Sequence, residues 1–167
     1  MATKADFTPE EWSVVRDAPY LTAMAMTVAG ASGLVGTLKE AVAASSSLVE
    51  GMRSDSELVR SVCTRDEMQA AQASVRSMTE SMKGADLATV KSKVQSLATE
   101  KVHAAIGLLS RKGAGPDVAG YGVFVKGIGQ RVAEAASEGG FLGFGGERVS
   151  EGERQMLAAL ERALSPS

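Results

Sequence analysis

Cysteine and histidine are almost absent from this chain, which has one of each, Cys63 and His103, in 167 residues. A single cysteine cannot form a disulfide within the chain, and the N-terminus has no signal-peptide pattern, so we expect a protein of the reducing cytoplasm. A structural zinc site needs about four cysteine or histidine ligands. A zinc site of the usual kind is therefore excluded.

Aromatic residues are also scarce, at 4% of the chain, although hydrophobic residues make up 44%. The core must then consist of alanine, valine, leucine and methionine. This favours close-packed helices, because sheets prefer aromatic and β-branched side chains. Lysine plus arginine (18) nearly balance aspartate plus glutamate (20), for a net charge of −2. That balance gives no electrostatic reason to expect a nucleic-acid partner.

Charged residues are missing between positions 18 and 38, a length close to that of a membrane span. The stretch nevertheless contains Pro19, three threonines and three glycines, and it is rich in alanine rather than leucine. We interpret it as a buried helix followed by a turn, and we predict no membrane span.

Helix starts are marked by residues that cap backbone amides. Phe7-Thr-Pro-Glu-Glu-Trp12 combines a threonine–glutamate capping box, a proline at the first helical position and a hydrophobic staple. Residues 1–6 are expected to be a loose end, and Pro19 is expected to end or kink the first helix. Three further starts are Ser54-Asp-Ser-Glu57, Thr64-Arg-Asp-Glu67 and Ser150-Glu-Gly-Glu153.

Apolar stripes at helical spacing predict the centre of the fold. They run through Met68, Ala71, Val75, Met78 and Met82, and then through Leu87, Val90, Val94 and Leu97. The short turn between them predicts an antiparallel hairpin of residues 65–82 and 87–111, on which a helix at 117–138 packs. The predicted fold is all-α, a single domain over residues 1–167, with about six or seven helices around that hairpin.

A line of small residues follows the 117–138 helix and its front edge: Gly115, Gly122, Gly129 and Ala136. Glycine inside a helix costs about 1 kcal/mol relative to alanine, so a packing reason is expected. Two interpretations remain open. The line can admit a neighbouring helix of the same chain, or it can form the interface of a symmetric homodimer.

A glycine-aromatic loop at residues 139–149 is the most distinctive stretch, with glycines alternating with Phe141, Leu142 and Phe144. Leaving these three side chains bare would forgo about 5–8 kcal/mol of burial. They are therefore expected either to plug the core or to form an exposed docking site for a partner or ligand. A phosphate-binding loop is disfavoured, because the stretch lacks the P-loop ending and follows no strand.

Residues suited to catalysis or metal binding are few. Glu100-Lys-Val-His103 has the spacing of di-iron helical bundles, which need a second such motif that this chain lacks. Cys63 is expected to be a small buried hydrophobe. Aspartates at predicted helix starts are expected to stabilise those starts, namely Asp55, Asp66, Asp86 and Asp117. We predict no catalytic, cofactor-binding or metal-binding residue.

Two resemblances to known families add to this interpretation. The Phe7–Trp12 start and the glycine-aromatic loop before Arg148-Val-Ser-Glu151 resemble a group of uncharacterised bacterial all-helical proteins. Ala31-Ser-Gly-Leu-Val35, with Glu40 downstream, is similar to the TerB-like helical family associated with tellurite resistance. Both resemblances imply an all-helical fold. Ser32 stands where the TerB-like family has an aspartate thought to serve metal binding, so the resemblance removes that metal site.

The function we expect is that of a non-enzymatic cytoplasmic protein. It would bind another protein, a second copy of itself or a small apolar ligand. A metal- or stress-linked role of TerB-like type is one alternative, and a hydrolase that uses His103 is another.

Overall fold

The computed structural model describes residues 2–30, 45–112, 115–137 and 149–165, and the statements below concern these residues. They contain helices and connecting turns but no strand, which confirms the all-α class. The helices are α1 (Pro9–Gly30), α2 (residues 45–51), α3 (Glu57–Val62), α4 (Arg65–Glu80), α5 (Leu87–Arg111), α6 (Gly115–Ser137) and α7 (Glu151–Leu164). A short 3₁₀ turn, Lys4–Asp6, precedes α1.

Helix α1 lies at the centre of the bundle. Its most extensive contact is with α5, followed by α6, α4 and α7. Residues 17–23 are all buried, so α1 is covered on every side over about two turns. The predicted central hairpin is different in the structure: α4 and α5 each pack on α1 and touch one another little. The reason is that α1 carries no charge after Asp17, and a helix that is apolar all round has to be surrounded.

Pro19 does not end α1, which continues through it to Gly30. Proline has no backbone N–H, so the carbonyl of Val15, four residues earlier, loses its usual donor. The hydroxyl of Tyr121 in α6 donates to that carbonyl at 2.6 Å, and both residues are fully buried. A side chain from a neighbouring helix thus replaces the hydrogen bond that proline removes.

The predicted helix starts are confirmed in their hydrogen bonds. The backbone N–H of Thr8 donates to the Glu11 carboxylate at 2.9 Å, and the Glu11 N–H donates to the Thr8 hydroxyl at 3.2 Å. The rings of Phe7 and Trp12 pack with centroids 5.8 Å apart, as expected for a staple. The hydroxyls of three N-cap residues likewise accept from the backbone at the starts of α3, α4 and α7: Ser56, Thr64 and Ser150.

The N-terminal segment, residues 2–6, is docked on the bundle and is not the loose end predicted from sequence. The Ala2 N–H donates to the buried carboxylate of Asp117 at 2.6 Å. Lys4 pairs with Glu67, and the Lys112 ammonium donates to the Asp6 carbonyl at 2.8 Å. The segment is held because it supplies donors to the buried carboxylates of Glu67 on α4 and Asp117 on α6, and an acceptor to Lys112 at the end of α5.

One glycine of the line on α6 is accounted for within the chain. A Cβ at Gly129 would lie 3.1 Å from Leu157 and 3.2 Å from Leu160, both in α7. A Cβ at Gly122 would lie 3.9 Å from Leu164, which is an ordinary contact distance. Of the two interpretations left open above, close packing of a neighbouring helix of the same chain therefore explains Gly129.

Charged side chains form a network between α1 and α4. Asp17 is buried and accepts hydrogen bonds from Arg16 at 2.7 Å and from the hydroxyl of Ser74 at 2.6 Å. Glu67 is also buried and lies between Lys4 and Arg16. Burial raises the pKa of Glu67, but Lys4, the Trp12 indole and Arg16 outweigh burial, so the pKa lies below its ordinary value of 4.5.

Replacing Tyr121 with phenylalanine should lower the free energy of unfolding by about 1–3 kcal/mol, because the buried Val15 carbonyl would lose its donor. Urea denaturation measures the change. Pro19→Ala restores a backbone N–H to the same carbonyl, so the tyrosine substitution should cost less in that background. Equal losses in both backgrounds would show that the hydroxyl does not compensate for the proline.

Replacing Glu67 with glutamine should lower stability at neutral pH and flatten its pH dependence between about pH 5 and pH 3. A carboxylate whose pKa is lowered by folding contributes stability above its unfolded-state pKa, and that contribution is lost as the pH falls through the folded-state value. Denaturant titrations across this range test the prediction. Glu80→Gln is the control, since Glu80 is exposed and pairs only with Lys83 one turn away. Identical pH profiles for the two variants would refute the assignment.

Candidate functional site

The C-terminal half of α5 and the end of α7 enclose a groove of about 490 Å³, which we call the α5 groove. Small-molecule sites have volumes of about 300–1,000 Å³. Apolar and polar groups share the lining: His103, Ala104, Ile106, Gly107, Leu108, Ser110, Arg111 and Ser165. The groove has the size and the mixed lining of a site for a small molecule.

Gly107 opens this groove. It lies in the middle of α5, where glycine costs about 1 kcal/mol relative to alanine. A Cβ at this position would meet only the tip of the Arg111 side chain, with Nη1 at 3.3 Å. Unlike Gly129, Gly107 has no neighbouring helix of the described residues packed against it. Helix packing therefore does not explain this glycine, and its missing side chain leaves space in the groove.

The charged lining of the α5 groove is cationic over the described residues, because Arg111 lines it and none of their aspartates or glutamates does. Within the described part of the chain, Arg111 makes no ion pair and donates no hydrogen bond. Glu11 is close enough for Arg111 to help lower its pKa, but its larger partners are the Thr8 amide and Lys112. Lys112 lies 3.0 Å from that carboxylate. The guanidinium of Arg111 is thus positioned in the groove without a carboxylate of its own.

A second groove, of about 350 Å³, lies between the end of α4 and the first half of α5. Its apolar lining is Met78, Met82 and Leu97, and its charged lining is Lys93 and Glu100. Charges of both signs give this α4–α5 groove no preference for an anionic or a cationic ligand.

Glu100 and His103 line different grooves, although their spacing is that of a metal-binding pair. Glu100 lines the α4–α5 groove, whereas His103 lines the α5 groove. Among the described residues, no three histidine, cysteine, aspartate or glutamate side chains are grouped as metal ligands would be.

Cys63 is fully buried beside Gly51 and Phe124, and burial raises the pKa of its thiol to about 12. It is absent from the lining that contains His103, so the structure does not bring these two residues together in the groove. Ser110 shares the groove with His103 but lies seven residues further along α5, a rise of roughly 10 Å. Neither residue is placed to be a nucleophile activated by this histidine.

The aspartates at helix starts have the structural roles predicted from sequence where their contacts are described. Asp86 caps α5 and accepts from the Thr89 hydroxyl at 2.6 Å and from the Thr89 N–H at 3.0 Å; these bonds lower the pKa of Asp86. Asp66 lies in the first turn of α4. Asp117 lies in the first turn of α6 and also accepts from the Ala2 N–H, and Asp55 lies at an exposed bend before α3.

Several residues singled out by the sequence lie outside the described ranges. These are the loop residues Phe141, Leu142 and Phe144, and the TerB-like stretch at 31–35 with Glu40. Their docking and family roles remain predictions.

Comparison with known proteins identifies no relative. No family model matches the chain, and neither does any curated protein or any solved structure. Over the described residues, no helix has the length and apolar character that crossing a membrane requires.

Sequence reasoning did not predict the α5 groove. A glycine inside a long helix, four residues from both His103 and Arg111, was the signal that could have pointed to the groove.

Iodoacetamide at about pH 8 should leave Cys63 unmodified in the native protein and alkylate it in guanidinium chloride, because thiolate chemistry needs exposure and a low pKa. Mass spectrometry measures the modification. Ser165→Cys supplies an exposed control thiol on the same chain. Native labelling of Cys63 as fast as that of the control would contradict its buried position.

Proposed function

We propose that this chain is a non-enzymatic binding protein and that the α5 groove holds a small apolar ligand. The observation that carries the proposal is the position of Gly107 in the lining of the groove. This glycine costs helix stability without admitting a neighbouring helix, and it lies where any larger side chain would narrow the groove.

The apolar lining supports a ligand with hydrocarbon character. Ala104 and Leu108 line the groove with surface that a ligand can cover, and each square ångström of apolar surface that a ligand removes from water contributes about 25 cal/mol. Part of that gain is spent on the lost freedom of the ligand, so micromolar to millimolar affinity is expected for a small molecule.

Binding rather than catalysis is favoured by the positions of the reactive side chains. The thiol of Cys63 is buried, and Ser110 lies about two helical turns from His103 along α5. Neither Cys63 nor Ser110 therefore provides the nucleophile that the hydrolase alternative requires. The α4–α5 groove is a weaker candidate for an apolar ligand, because three serines and two charged residues line it.

Gly107→Leu should abolish binding of Nile red, a neutral apolar dye, which wild-type protein should bind with a rise in fluorescence. Gly107→Ala should bind the dye more weakly while raising the free energy of unfolding by up to about 1 kcal/mol, because alanine favours the helix. That opposite movement of binding and stability separates a ligand site from a structural glycine.

Gly127→Leu is the matched control. Gly127 is also a glycine within a helix, in α6, and a Cβ there would have nothing within 4 Å. This variant should bind Nile red as the wild type does. If Gly107→Leu folds and binds the dye normally, the α5 groove is not the site.

A further inference from the structure

We infer that the ligand of the α5 groove is an anionic amphiphile, a carboxylate on a medium-length alkyl chain, whose headgroup is bound by Arg111. This inference rests on the proposed function and adds the chemical class of the ligand. The supporting observations are the position of the Arg111 guanidinium and the charges around it.

Arg111 lies at the end of the groove where α5 terminates, and its Nη1 lies over Gly107. The side chain therefore turns back along the helix and brings its guanidinium beside the apolar lining. A guanidinium offers donors in a planar fork that fits a carboxylate through two parallel hydrogen bonds.

Of the two neighbouring cations, Arg111 and Lys112, Arg111 is the one that can pair with the headgroup of a ligand. Lys112, the next residue, is already used by the Glu11 carboxylate, the Asp6 carbonyl and the face of the Phe7 ring, 5.5 Å from its centroid. Arg111 has no such partner among the described residues, and no acidic side chain lines the groove. A ligand carboxylate would give this cation the counter-charge that the groove does not supply.

Because the groove lies at the C-terminal end of α5, binding of an anionic headgroup there depends on Arg111. The C-terminus of α5 carries partial negative charge, which repels an anion unless a cation lies between them. A neutral alcohol of the same length would gain the apolar burial without that pairing, and an alkylammonium would meet Arg111 as a like charge. The groove should therefore rank carboxylate above alcohol and alcohol above amine.

Isothermal titration with octanoate, octanol and octylamine tests the ranking on the full chain. Octanoate should bind at least about tenfold more tightly than octanol, with octylamine weakest. Arg111→Gln removes the charge and shortens the side chain but keeps a polar group with N–H donors, so it should weaken octanoate about tenfold and leave octanol unchanged. Lys93→Gln, in the α4–α5 groove, is the matched control and should change neither.

The outcomes separate this inference from the proposed function. If octanol binds as tightly as octanoate, or if Arg111→Gln leaves octanoate binding intact, the carboxylate assignment is overturned while the apolar site stands. If the wild-type protein binds none of the three compounds and no Nile red, the proposed function itself fails. If Lys93→Gln weakens octanoate as much as Arg111→Gln does, the effect of charge is not specific to the α5 groove and the carboxylate assignment is overturned.

Discussion

The burial of α1 on every side is the constraint on which the rest of the structure depends. Seven consecutive residues, 17–23, have no exposed face, so other helices have to enclose them. Helices α4, α5, α6 and α7 all pack on this one helix, and the bundle is arranged around it rather than around the α4–α5 pair. A central helix of this kind also has to satisfy its polar groups without water, because a buried polar group without a partner costs about 1–3 kcal/mol.

Some of the buried polar groups of α1 are satisfied by side chains of other helices, whereas the buried hydroxyl of Tyr20 has no hydrogen-bond partner among the described residues. The Tyr121 hydroxyl binds the carbonyl that Pro19 leaves without a donor, and Ser74 with Arg16 surrounds the carboxylate of Asp17. The hydroxyl of Thr22 donates within the helix to the Ala18 carbonyl at 2.9 Å. These contacts connect α1 to α4 and α6 through hydrogen bonds as well as apolar packing, and they specify how the helices are positioned around it.

The α5 groove lies away from this crowded centre. One side of α5 is buried through Val102, Ile106 and Leu109, while His103, Ser110 and Arg111 are exposed. A helix with one buried face can carry a glycine on its other face at the cost of helix propensity alone. Gly107 is such a case, whereas Gly129 and Gly152 are enclosed: a Cβ at Gly152 would lie 2.7 Å from the Ala29 carbonyl. The same residue type thus serves close packing at two positions and an open surface at a third.

The sequence by itself determined the helical class, the helix starts and part of the buried stripes. These depend on interactions within a few residues, such as the Thr8–Glu11 capping box and the helical spacing of apolar residues, of which Ala71 and Val94 are buried while Leu87 is 58% exposed. Only the tertiary structure decided which helix is central, that α1 continues through Pro19, that residues 2–6 are docked, and that Gly107 and Arg111 share a groove. Each of these depends on a partner far away in the chain: Tyr121 lies 106 residues from Val15, and Asp117 lies 115 residues from Ala2. Local spacing carries no information about such partners, because they are set by how the helices pack against one another.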